Sequence, residues 1–438
     1  MNLVAELEAR QREGRPIRVG LVGVGQMGAG LIAQVSQMQG MEVVAAADIE
    51  TERAVAAFRA CGYSEEEVLL LPPGASSHEA DAAVRAGKRV VTARATLVPD
   101  IASLDAVVEA TGVPAVGALV AYRTILARRH IIMLNVETDA TIGYLLKRMA
   151  DAAGVVYTTS AGDEPGAILE LYDFARSLGF EIVAAGKGKN NPLDRGATPE
   201  QLAEQARSRH MSPHMLTSFV DGTKTMVEMT AVANATGLVP DVSGMHGPQA
   251  TPETLAQIFC PREDGGILGR RGVVDYALGS VAPGVFLVIT TQQPKVIEDL
   301  RYLRLGEGPY WALYRPYHLA NLETPRSIAQ AVLYQQATLA PAGPPVAETT
   351  AVAKRDLQEG EVLEGLGGTS LYGNIERVEV ARAQRMLPLG LTARARVRRP
   401  VARGQTLTYD DVELDAHSFI VQARRMQDAL IYDGEPPL

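Results

Sequence analysis

The chain has 438 residues, 47% of them hydrophobic and 21% charged, which is the composition of a soluble globular protein and excludes bulk disorder. At roughly 150 residues per domain, the length predicts about three domains. A net charge of −9 argues against a general nucleic-acid binder. The two cysteines, Cys61 and Cys260, make neither a disulfide framework nor a zinc site, so the expected compartment is the cytoplasm.

Residues 1–18 alternate Glu and Arg without the apolar stretch of a signal peptide. The strand Ile17–Val22 then runs into Gly23-Val24-Gly25-Gln26-Met27-Gly28, and Leu31, Ile32 and Val35 mark a helical stripe as far as Met38. A second apolar run, Met41–Ala47, ends in Asp48. This is a β-α-β unit with its glycines at the strand-to-helix turn. A helix from Thr51 to Leu71 is expected next, followed by a strand at 88–95 and another at 105–112 that ends in the small-residue turn Thr111-Gly112. A helix over 113–129 and the buried strand His130–Val136 continue the alternation, so residues 1–150 read as a doubly wound α/β sheet of Rossmann type.

Residues 151–338 mix strand runs (155–159, 181–185, 285–291) with helices and suggest an α+β substrate domain. The uncharged stretch 276–294 is broken by glycine, proline and glutamine, so it reads as buried strand and turn and not as a membrane span. Pro341-Ala342-Gly343-Pro344-Pro345 is a stiff linker, and 346–438 reads as a small, separate β-rich module.

In that context Gly23, Gly25 and Gly28 permit a tight turn, close backbone approach to a pyrophosphate and helix–strand packing. The free N–H groups of Gln26 and Met27 at the helix start then face the anion. Asp48 is placed to accept from an adenosine ribose, which favours NAD, whereas Arg53 is placed to pair with the 2′-phosphate of NADP. Thr111 and Gly112 leave room for a nicotinamide, or form an ordinary turn.

Glu137 and Asp139 follow a buried strand at the edge where such sheets bind ligands. They either converge on a divalent ion such as Mg or Mn, or the segment is an N-cap, with Thr138 or Asp139 capping a helix that begins at Ala140. Asp163, in the loop Ser160–Gly166, is a proton-transfer group or a helix cap. Seven of the 42 basic residues are lysines and the rest are arginines. Where arginine serves most surface positions, Lys187 and Lys189 in Gly186–Pro192 stand out as groups that close on an anion or a developing alkoxide. Lys224 and Glu228 share a helix face, as a surface ion pair or as a catalytic face. His210 and His214, with Pro213 between them, read as loop residues able to reach a phosphate. His246 sits in a glycine-rich loop.

Taken together, Gly23–Gly28 and Val108–Gly112 resemble the homoserine-dehydrogenase-like group. The segments 135–139, 160–166 and 186–192 resemble, more particularly, the reductoisomerase-like oxidoreductases. That family includes bacterial enzymes that convert 1-deoxy-D-xylulose 5-phosphate to methylerythritol phosphate with NADPH and a divalent metal, a step of isoprenoid biosynthesis. The turns 353–360 and 401–408 are similar to those of the SAF module carried by its members. The resemblance implies Glu137 and Asp139 as metal ligands, and Lys187, Lys189 and Lys224 as substrate-binding or proton-handling groups. It also implies NADP or NAD as cofactor, a small-molecule substrate, no nucleic-acid or membrane partner, and a homodimer or homotetramer. The other readings are a semialdehyde reductase like homoserine dehydrogenase, another sugar or sugar-acid oxidoisomerase, and a non-catalytic nicotinamide-binding SAF protein.

Overall fold

The computed structural model describes residues 2–209 and 211–432. The chain divides into two compact units. Of the described residues, one takes 2–163 with 319–340 and 417–430, and the other takes 164–209, 211–318, 341–416 and 431–432.

In the first unit α1 (Leu3–Arg12) precedes β1 (Ile17–Val22), α2 (Gln26–Ser36), β2 (Met41–Ala47), α3 (Thr51–Ala60), β3 (Val68–Leu70), α4 (Ser77–Arg85) and β4 (Arg89–Thr92). Then come β5 (Ala106–Glu109), α5 (Pro114–Leu126), β6 (His130–Met133), α6 (Val136–Ala153) and β7 (Tyr157–Thr159). The seven strands lie in the order β3-β4-β2-β1-β5-β6-β7, and every pair is parallel. β1 and β5 are apolar and almost wholly buried, as strands covered on both faces must be. Strand order reverses at β1, and the crevice at the carboxyl ends of β1 and β5 is where such sheets bind ligands.

Several segments differ from the expectation. The helix from Thr51 stops at Ala60, because Gly62 takes a left-handed φ of +92°, and Val68–Leu70 becomes an edge strand. The strand run expected at 155–159 within the middle domain is β7, the last strand of the first sheet. Two later helices also belong to this unit. In α13 (Ala320–Tyr334), Ile328 and Ala329 join the core of Ile17, Leu21, Leu31, Ile32 and Phe58. In α15 (Phe419–Ile431), Gln427 repairs a break in α6. There Ile142 leaves helical geometry at φ −139°, which frees the Thr141 carbonyl and the Leu145 N–H. The Gln427 amide donates to the first (3.3 Å) and accepts from the second (3.0 Å), so neither buried group is orphaned.

The second unit runs through α7 (Glu164–Ser177), β8 (Glu181–Gly188), α8 (Pro199–Ser208), α9 (Pro213–Val220), α10 (Thr223–Thr236), β9 (Val239–Pro240), β10 (Gln249–Ala250) and α11 (Leu255–Ile258). It continues with β11 (Val273–Gly279), β12 (Val285–Thr290), α12 (Pro294–Tyr302) and β13 (Tyr310–Arg315). The sheet order is β10-β11-β8-β12-β13, with β9 beside β11. β8 is parallel to β11 and antiparallel to β12, so the sheet is mixed, as an α+β unit requires. β14 (Ala347–Ala353) and β15 (Leu371–Arg377) form an antiparallel pair, followed by α14 (Val378–Ala383). Ala347 and Ile375 pack into the same core as Met226 and Met229 of α10. The β-rich segment is therefore not a separate body, because its first strand is buried along its whole length. Among the described residues no helix is long and apolar enough to cross a membrane.

Candidate active site

The first unit builds the turn that a dinucleotide requires. Gly23 has φ +94°, and a Cβ on it would lie 2.7 Å from the Ala110 carbonyl, so the glycine lets β1 and β5 close at the crevice. A Cβ on Gly28 would lie 2.1 Å from the Gly23 carbonyl oxygen. Gly25 instead faces open space and forms the N-cap of α2 without any side-chain cap. Gln26 and Met27 are exposed in the first turn. The helix thus offers uncapped N–H groups and its positive dipole end beside a glycine without local packing duty, which fits a pyrophosphate. Asp48 accepts from Val24 N–H at 2.7 Å and from Glu50 N–H at 2.8 Å. That holds the carboxylate at the end of β2 and spreads it over two oxygens that each keep acceptor capacity. The exposed Arg53 pairs with Glu50 at 2.7 Å.

Behind this crevice lies a buried acidic layer. Glu109, at the end of β5, is fully buried and accepts from the hydroxyl and N–H of Thr111. Burial, more than any other influence, pushes its pKa up to about 7, against the opposing hydrogen bonds of Thr111 and Asn135. Glu137 and Asp139 lie in the first turn of α6, capped by Asn135, and both are buried. Asp139 accepts from the Tyr157 hydroxyl at 2.8 Å. Among the described residues, neither belongs to a group of three side chains close enough to share an ion.

Glu109 gives a pH-dependent stability whose sign is fixed. In an unfolded chain it ionises near 4.5, and in the fold near 7. The folded state holds the extra proton between those values, so stability falls as pH rises from 4.5 to 7 and is level above. At about 1.4 kcal/mol per pH unit, the loss amounts to a few kcal/mol. Urea unfolding at pH 5 and pH 8 is expected to show a smaller decline in Glu109→Gln than in the wild type, because the amide carries no charge, while the buried Asp139, raised by burial to about 7, keeps its own share. An undiminished decline would place its source elsewhere.

The second unit carries the lysine chemistry. Gly186–Gly188 are the end of strand β8 and not a loop. The reason is packing: Cβ atoms there would lie 2.3 Å from the Asp275 carbonyl oxygen and 2.1 Å from Ala282 N, so the glycines let neighbouring backbone approach. Lys187, between them, donates to Glu164 at 2.5 Å and to Glu228 of α10. Burial opposes its charge, but the two carboxylates outweigh burial and hold its proton more tightly than usual. Lys189 is 6% exposed and donates to the carbonyls of Asn191 and Phe219, each at 2.7 Å. Its burial and the neighbouring Lys187 charge lower its pKa to about 8. Two lysines two residues apart are thus driven in opposite directions.

Lys224 and Glu228 lie on a helix buried from Thr223 to Asn234, so the surface-pair alternative does not apply. Asp163 directly precedes α7 and is half-buried. His214 is exposed at the start of α9, and His210 lies outside the described residues. His246 sits between Asp275 at 2.8 Å and Asp241 at 3.4 Å, and its hydrogen bond to Asp275 raises its pKa. Sequence reasoning missed Glu164, although it adjoins Asp163, and it missed His318. The latter donates from Nδ1 to the Pro283 carbonyl at 2.7 Å and brings Nε2 to 3.5 Å from Glu164.

Residues 162–324 match the family described as oxidoreductase DRL, catalytic domain. No curated protein matches. Among solved structures, a probable dehydrogenase from Thermotoga maritima is 12% identical, covering 75% of this chain and 91% of its own, with a TM-score of 0.42. The myo-inositol dehydrogenase of Lactobacillus casei, solved with NAD(H) and myo-inositol, is 15% identical, covering 75% and 89%, with a TM-score of 0.38. UDP-N-acetylglucosamine 3-dehydrogenase from Acidithiobacillus ferrooxidans is 12% identical, covering 74% and 91%, also at 0.38. None of these descriptions names a reductoisomerase or a SAF module. Residues 162–324 are thus similar to an oxidoreductase catalytic domain, and the chain is an oxidoreductase.

Proposed function

We propose that the protein interconverts a carbonyl and an alcohol on a small polar hydroxy-carbonyl compound. In this reading Lys189 carries the proton of the substrate oxygen, and Lys187 supplies fixed positive charge. The contrast between the two lysines carries the proposal. A group that holds its proton as firmly as Lys187 stabilises charge and exchanges little, whereas one poised near pH 8 can both give and take a proton. A bound nicotinamide would supply the hydride donor or acceptor. The chain's own part is to cradle the pyrophosphate at Gly25 and the α2 N-terminus, to hold Asp48 for the ribose, and to keep the lysine pair dry.

The pH dependence has a definite sign. In the reducing direction protonated Lys189 is the active form, so turnover falls as pH rises through about 8. In the oxidising direction the free amine is active, so turnover rises through the same range. Lys189→Met is expected to lower kcat by about 10²–10⁴-fold, the usual contribution of a positioned acid or base, and to remove that titration from the profile.

The reductoisomerase resemblance supplies the first substrate to test. The purified protein with 1-deoxy-D-xylulose 5-phosphate should oxidise NADPH or NADH, assayed in parallel with and without magnesium. Metal-dependent turnover supports the reductoisomerase reading. Cofactor binding without turnover rejects that substrate and turns the search to semialdehydes and other sugars.

A further inference from the structure

Lys354, at the end of β14, is one of the most enclosed cations of the second unit. Its ammonium lies 2.8 Å from an Asp221 carboxylate oxygen as an ion pair, and it donates to the Ala197 carbonyl at 2.8 Å and to the Gly368 carbonyl at 2.7 Å. The side chains of Lys354 and Asp221 are 2% and 0% exposed. Asp221 occupies the short turn between α9 and α10, where its other oxygen accepts from Thr223 N–H at 2.8 Å. Two residues earlier, the Phe219 carbonyl accepts from Lys189. This buried carboxylate is therefore ion-paired with Lys354 and lies two residues from the carbonyl that holds Lys189.

We infer that Lys354 is a positioning residue for Lys189: by engaging Asp221 from the 341–416 segment, it leaves the Lys189 ammonium bonded to carbonyl oxygens and not to a carboxylate. This rests on the reading of Lys189 as the proton carrier, and it gives the β-rich segment a part in tuning that group. The charges that act on Lys189 are Lys187 on β8, which opposes its protonation, and Asp221 and Glu228, which favour it. Arg209 reaches the nearby Asn191 side-chain oxygen at 3.3 Å. Of the two carboxylates, Glu228 is held by Lys187 and Asp221 by Lys354. Removing Lys354 would leave the full Asp221 charge to act on Lys189.

The test is direct titration of the lysine side chains by NMR, with the full-length protein labelled at the lysine Cε carbons. Seven lysines give a resolvable set, and Lys189→Arg identifies the signal. Lys189 is expected to titrate near 8 in the wild type. Lys354→Met should raise that value by about one pH unit, the lower end of what an unscreened neighbouring charge does. Lys354→Arg should leave it near the wild-type value. Asp221→Asn should lower it, and Asp221→Asn with Lys354→Met should return it towards the wild type. If Lys354→Met does not fold, Asp221→Asn and the uncharged double variant carry the test. A wild-type Lys189 titrating near 10.5 overturns the proton-carrier reading and this inference with it. A wild-type value near 8 that neither Lys354→Met nor Asp221→Asn moves overturns the inference alone.

Discussion

Replacing Lys187 with methionine is expected to cost about 3–5 kcal/mol of stability, the range for breaking a buried ion pair by removing one partner. The Lys187 ammonium lies between Glu164 and Glu228, and all three side chains are at most 8% exposed. Methionine keeps most of the volume but withdraws the cation, so two buried carboxylates must lose it together. Removing every charge at once is far milder, because the attraction between buried ions mainly offsets their own desolvation. The variant combining Lys187→Met with Glu164→Gln and Glu228→Gln should therefore recover much of the loss in urea unfolding. Turnover should stay absent in both, since each lacks the fixed charge. A single variant as stable as the wild type would mean that Lys187 is not charged in the fold, and its assigned role would fail.

The parts of this arrangement that could be read from sequence are those whose cause is local. Gly23, Gly25 and Gly28 between Ile17–Val22 and a helical stripe, with Asp48 after the next apolar run, record a strand-turn-helix-strand within some thirty residues. The structure keeps each of them in place. Gly186 and Gly188 have the same composition as a loop, yet they sit in β8 because the Asp275 and Ala282 backbones press against them. That is a contact with residues about ninety positions away, and no local pattern announces it. The same holds for Glu164 against Lys187, for Lys354 against Asp221, and for α13 and α15, whose apolar faces fix a helix but not the core it joins. Periodicity tells which side of an element is buried, and only the fold tells against what.

A ligand-binding role of the Gly23–Gly28 turn can be separated from its packing by two substitutions of the same size. Gly28→Ala would place a methyl 2.1 Å from the Gly23 carbonyl oxygen, a backbone atom that cannot swing aside. Overpacking of that kind costs about 1–3 kcal/mol or more, and distortion of the turn should weaken cofactor binding along with stability. Gly25→Ala meets nothing within 4 Å, and its φ of −72° suits any residue. It should therefore melt like the wild type, while the added methyl stands where a pyrophosphate would approach the backbone. NADH and NADPH affinity, followed by fluorescence titration, is expected to fall at least about tenfold, equivalent to about 1.4 kcal/mol. Because Gly25 has no packing duty, that loss would have a ligand as its only cause. Unchanged affinity in Gly25→Ala would instead mean that the turn serves only to join β1 to α2, and the crevice beside Asp48 would lose its claim to the cofactor.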